Sequence, residues 1–69
     1  MRKTFSVVDP KDGSDVLGGP VSEDNAYVQV YPVPLPGEKA VASLAIGEST
    51  TCRYSLAGSS GVYRVVRVS

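Results

Sequence analysis

Prolines at 32, 34 and 36 alternate with Val33 and Leu35, so every second residue of this stretch has no amide hydrogen to donate. Such a segment cannot run through the middle of a β-sheet, because a central strand must donate on both sides. The stretch 32–37 therefore reads as an extended, polyproline-like connector or a sheet edge, ended by Pro36-Gly37. The same spacing suits a PxxP ligand, but it is equally that of a crossing between two sheets.

The rest of the chain is cut into short pieces by Pro, Gly, Asp and Asn, and β-branched and aromatic residues fill the pieces. That pattern predicts an all-β fold: a small sandwich or barrel of five to six short antiparallel strands, with residues 1–69 forming one domain. Thr4 to Val8 alternates Phe5 and Val7 with polar residues. Asp9-Pro10-Lys11-Asp12-Gly13 is turn chemistry, and Asp15-Val16-Leu17 returns as the second arm of a hairpin that ends at Gly18-Gly19-Pro20.

Ala26 to Tyr31 reads as the clearest strand. Ala26, Val28 and Val30 would form a core face, with Tyr27, Gln29 and Tyr31 on the opposite, amphipathic face. The segment 38–46 is a short helix stopped by Gly47 or, in the favoured reading, a strand from Val41 to Ile46. Ser49 to Leu56 alternates cleanly, with Thr50, Cys52, Tyr54 and Leu56 inward. Gly58-Ser59-Ser60-Gly61 is then a hairpin loop and Val62 to Val68 the last strand. That strand cannot bury Tyr63, Val65, Val66 and Val68 by strict alternation. Either a β-bulge near Val65-Val66 turns Arg64 and Arg67 outward, or the strand is buried on both faces.

Sixty-nine residues with one Cys and no His give a small core without an internal disulfide or a Cys/His zinc site. Stability gained from a partner surface or from self-association is therefore expected. The net charge is zero, but its distribution is uneven. Thr4 to Glu48 holds all seven acids with only Lys11 and Lys39, whereas Ser49 to Ser69 holds Arg53, Arg64 and Arg67 and no acid. Internal neutralisation in the fold is the favoured outcome, and a polar stacking of copies the other.

The stretch from Ala42 to Thr51, containing Gly47-Glu48-Ser49-Thr50-Thr51, with the strand Cys52 to Leu56, the Gly-containing turn and Val62 to Val68, resembles the C-terminal half of Ig-like β-sandwich modules. The match covers about 27 residues, roughly 40% of the chain, and is built from common strand and turn residues. Ile46 stands where the family usually has Pro. The resemblance implies two consecutive hairpins and permits an adhesive, spacer or virion-decorating role.

Catalysis is not expected: there is no His for acid–base work, and Cys52 sits inside a strand without a partner base. Asp9, Asp12 and Asp15 lack calcium-loop spacing and read as turn residues, and Gly18-Gly19 lacks the residues of a phosphate loop. No cofactor or metal is expected. Nothing matches a signal-peptide core or a membrane span, so cytoplasmic synthesis of a complete, soluble chain is expected, with a virion as a possible destination.

The expected function is that of a structural or binding module, most concretely a phage-type virion decoration protein docking on a larger assembly or on its own copies. Tyr27, Gln29, Tyr31, Arg53, Arg64 and Arg67 are the expected contact residues. An inhibitor acting by edge-strand addition is the first alternative. A single-stranded nucleic-acid barrel using the same Tyr and Arg set is the second, disfavoured by the acidic stretch from Asp9 to Glu48.

Overall fold

The computed structural model describes residues 2–56 and 58–69. Five antiparallel strands form one sheet: β1 (Thr4–Val8), β2 (Val21–Ser22), β3 (Val33–Pro34), β4 (Ser49–Leu56) and β5 (Ser59–Arg67), in the order β2-β1-β5-β4-β3. The all-β class and the antiparallel strands agree with the sequence pattern, and all five strands belong to a single sheet. The β4–β5 hairpin is its spine, paired without interruption from Ser49↔Val66 to Leu56↔Ser59. β1 lies against the other side of β5, from Phe5↔Arg67 to Val8↔Arg64.

β3 is the edge strand that the prolines demand, touching β4 through Val33↔Arg53 and Pro34↔Cys52 only. Leu35, between two prolines, still donates its N–H to the Thr51 carbonyl at 3.1 Å. β2, on the opposite edge, was not anticipated, because its two residues carry no periodicity. The return of the first hairpin is confined to a bridge between Val8 and Asp15, with Val16 donating to the Val7 carbonyl at 2.8 Å.

Because side chains alternate along a strand, the register sorts them into two faces. Phe5, Val7, Thr50, Cys52, Tyr54 and Val65 share one face, and all are buried. Val28 and Leu44 close over them, with Leu17, Val21, Val41 and Tyr63 packed around. Tyr54 and Tyr63 meet edge to face at 5.4 Å, beside Gly61, where an added Cβ would lie 3.0 Å from the Tyr63 ring. Thr50, Cys52 and Tyr54 thus point inward as expected; the side chain of Leu56 lies outside the described ones.

Four sequence expectations are corrected. Ala26 to Tyr31 is not a strand: Ala26–Gln29 is a short α-helix, α1. Asn25 caps it, its side chain accepting from the Tyr27 N–H at 2.9 Å, and Val30 and Tyr31 donate back to the Ala26 carbonyl. Val28 is consequently 4% exposed and Val30 70%, although on a strand they would share a face. Second, 38–46 contains no strand; Val41–Ser43 is a 3-10 turn that lowers Leu44 into the core. Third, β5 has no bulge. Its register against both neighbours is continuous, Val66 is half-buried on the reverse face, Val68 is exposed, and Arg67 lies on the core side with Val65. Fourth, the hairpin loop is shorter than 58–61, since Ser59 and Ser60 already pair and Gly58, at φ 85°, supplies the left-handed turn position.

One hydrogen bond ties α1 to the sheet: the Tyr54 hydroxyl donates to the Tyr27 carbonyl at 2.6 Å. Burial, with Cys52 nearby, raises the Tyr54 phenol above its ordinary value near 10. Burial, reinforced by Glu38, raises the Cys52 thiol above its ordinary value near 9. Both groups keep their protons longer in the folded than in the unfolded chain. Their contribution is present below about pH 9 and is lost as the pH rises through the two titrations.

Two measurements check this packing. Val28→Ala is expected to lower the urea unfolding free energy by about 1–3 kcal/mol, as for deleted core methyls, while Val30→Ala changes it by less than about 0.5 kcal/mol; equal losses would restore the strand reading. Tyr54→Phe is expected to cost about 1 kcal/mol at neutral pH by orphaning the Tyr27 carbonyl, and to flatten the fall in stability above about pH 10.

Candidate protein-binding surfaces

The reverse face of the sheet is uncovered. Thr4, Ser6, Val8, Val33, Ser49, Thr51, Arg53, Ser55, Val62, Arg64 and Val66 project there by register, and none of them is buried. Its charged residues are Arg53 and Arg64, both exposed. Arg53 pairs with Val62 and Arg64 lies two residues beyond, so the two guanidinium groups are diagonal neighbours on adjacent strands. Val33 (63% exposed) and Val62 (41% exposed) flank Arg53.

Among the described residues, neither arginine has an ion-pair partner. The two ion pairs present are Arg2–Asp24 at 4.0 Å and Lys39–Glu48 at 2.7 Å, neither of which includes a residue of β4 or β5. The acidic stretch therefore does not neutralise the basic strands, contrary to expectation. Most of its carboxylates accept from backbone N–H groups instead. Asp9, Asp12 and Asp15 accept from the N–H groups of Lys11, Ser14 and Leu17, and Glu38 accepts from the Thr51 N–H. The Ser14 backbone and hydroxyl hold the Asp12 carboxyl below its ordinary range. The Lys39 ammonium and the Ala45 N–H do the same for Glu48.

The six expected contact residues are divided by the fold. Arg53 and Arg64 lie on the uncovered face. Tyr27 and Tyr31 belong to α1 and the residues after it, on the other side of the sheet; their rings pack at 5.4 Å, one helical turn apart, and each is 37% exposed. Arg67 does not share the uncovered face: it is half-buried on the core side of β5, where it acts as a clamp. Its Nη1 donates to the Leu44 carbonyl at 2.9 Å and its Nε to the Ser69 carbonyl at 3.1 Å, tying the 3-10 turn and the C-terminal residues to β5.

Gln29 borders a cleft of about 400 Å³ between α1, the proline segment and the 3-10 turn. It is lined by the buried Phe5 and Val28, by Pro32, Pro34 and Val41, and by the exposed Glu23. Sequence reasoning missed this cleft, because its lining is drawn from separate segments. Asn25 ahead of Ala26 was the available signal for the helix that shapes it.

Among the described residues, no group of three or more His, Cys, Asp or Glu side chains is placed to hold a metal ion, and no helix is long and apolar enough to cross a membrane. No protein-family model, curated protein or solved structure matches the chain.

The division of the arginines is open to test. Arg67→Met is expected to lower stability by about 1–3 kcal/mol by leaving the Leu44 carbonyl without its donor, the Ser69 carbonyl keeping the Thr4 N–H, whereas Arg53→Ala stays within about 0.5 kcal/mol. Thermal unfolding of the two variants side by side would show it; a neutral Arg67→Met would return Arg67 to the surface set.

Proposed function

We propose that the chain is a non-catalytic binding module that docks the uncovered face of its sheet on a carboxylate-bearing surface of a larger protein assembly. A phage-type decoration protein seated on a repeating shell is the concrete form of this reading. The observation that carries it is the uncovered face itself, where the exposed Val33 and Val62 flank Arg53 and, among the described residues, neither Arg53 nor Arg64 has an ion-pair partner. Guanidinium groups bind carboxylates bidentately, and the neighbouring Val33 and Val62 supply apolar area to be buried with them. β5 is about 30 Å long and the sheet about 20 Å across. That area is of the same order as the ~800 Å² that a standard interface buries on each partner.

The two alternatives have less support. For strand addition the sheet offers edges of two paired residues each, one containing Pro34. For single-stranded nucleic acid the tyrosines and the free arginines are needed together, and they lie on opposite sides of the sheet. The non-catalytic reading rests on a buried, proton-retaining Cys52 and the absence of His.

The reading is tested with ¹⁵N-labelled protein titrated with a peptide of alternating Glu and Val or, at matched ionic strength, with oligothymidylate. The peptide is expected to shift the amides of Thr51, Arg53, Val62 and Arg64, with affinity falling at least fivefold in Arg53→Ala/Arg64→Ala and on raising the salt. Preferential binding of the oligonucleotide would favour the nucleic-acid reading. Shifts that avoid this face would remove the docking surface.

A further inference from the structure

We propose that the cleft between α1, the proline segment and the 3-10 turn receives a cationic side chain with an aliphatic stem, arginine or lysine, presented by a protein partner. The site lies on the covered side of the sheet and is independent of the uncovered face. Phe5, Val28, Pro32 and Pro34 give it an apolar interior, and its volume of about 400 Å³ accommodates one large side chain. The polar groups at its border are Glu23 and Gln29.

The charge in its lining selects the occupant. Glu23 is exposed and, among the described residues, makes no ion pair, while its neighbour Asp24 faces Arg2 and accepts a hydrogen bond from the Ser22 hydroxyl. Lys3 lies opposite, its carbonyl accepting from the Glu23 N–H at 3.2 Å, yet its ammonium forms no ion pair with the Glu23 carboxylate. An anionic occupant would meet that carboxylate with like charge. A neutral apolar one would strip water from it without compensation. A lysine or arginine satisfies both halves of the site, its methylene stem lying against the prolines while its head reaches Glu23 and the Gln29 amide oxygen.

The test uses blocked single residues, with the ¹⁵N-labelled full chain as receptor. N-acetyl-arginine methylamide and N-acetyl-lysine methylamide are expected to give saturable shifts at Val28, Gln29 and Val41. The norleucine derivative, which keeps the stem and lacks the charge, should bind about three- to fivefold more weakly, as for the loss of an exposed ion pair. Glu23→Gln should bring arginine down to the norleucine level, while Arg53→Ala leaves arginine binding unchanged and so separates this site from the uncovered face. Equal affinity for norleucine, preference for the glutamate derivative, or no saturable shift at these residues would overturn the proposal.

Discussion

The fold depends on the β4–β5 ladder. Eight consecutive cross-strand pairs hold Thr50, Cys52, Tyr54 and Val65 on one face, and β1, β3, α1 and the 3-10 turn are placed by contact with that face or with the hairpin's outer edges, while β2 follows from its pairing with β1. β1 extends the ladder and adds Phe5 and Val7. α1 is anchored from β4 by the Tyr54 hydroxyl, and the 3-10 turn from β5 by Arg67 and from β4 by the Thr50 hydroxyl, which donates to the Lys39 carbonyl at 2.5 Å. These side-chain-to-backbone bonds compensate for the brevity of the covering elements, which are too short to hold their shape unaided.

A chain of this size has apolar side chains for one buried face, and its covering layer is used up on that side. The reverse face stays bare, as antiparallel sheets permit. The bare face and the covered side differ in charge because the basic strands form the sheet while the acids sit in the loops and covering segments. The docking and cleft proposals use this separation in opposite senses, one toward carboxylates and one toward a cation.

Much of the sheet was legible in the sequence. Thr4 to Val8 and Ser49 to Leu56 emerge with the boundaries that their alternation predicts, and the prolines place 32–37 at an edge. Ala26 to Tyr31 misled because Ala, Val and Tyr alternate as readily on a strand as they fill a helical turn. The Asn25 cap outweighed the two-residue period, and Tyr27 and Tyr31 then met as i, i+4 neighbours. The placement of the expected contact set was legible only in part: alternation in β4 and β5 puts Arg53 and Arg64 on one face, whereas Arg67 lies on the core side because β5 runs without the bulge invoked to bury Val68.

Local chemistry by itself determined the all-β class, the edge position of the proline segment, the inward face of β4 and the turn role of the aspartates. Each depends on one residue's backbone or on the period of a single strand. Tertiary structure alone decided which face of the sheet is covered, that among the described residues the acids do not pair with the strand arginines, and that residues from separate segments line a cleft. Those outcomes depend on which segments meet across the fold, and long-range meeting is set by competition for one small apolar face rather than by any local period.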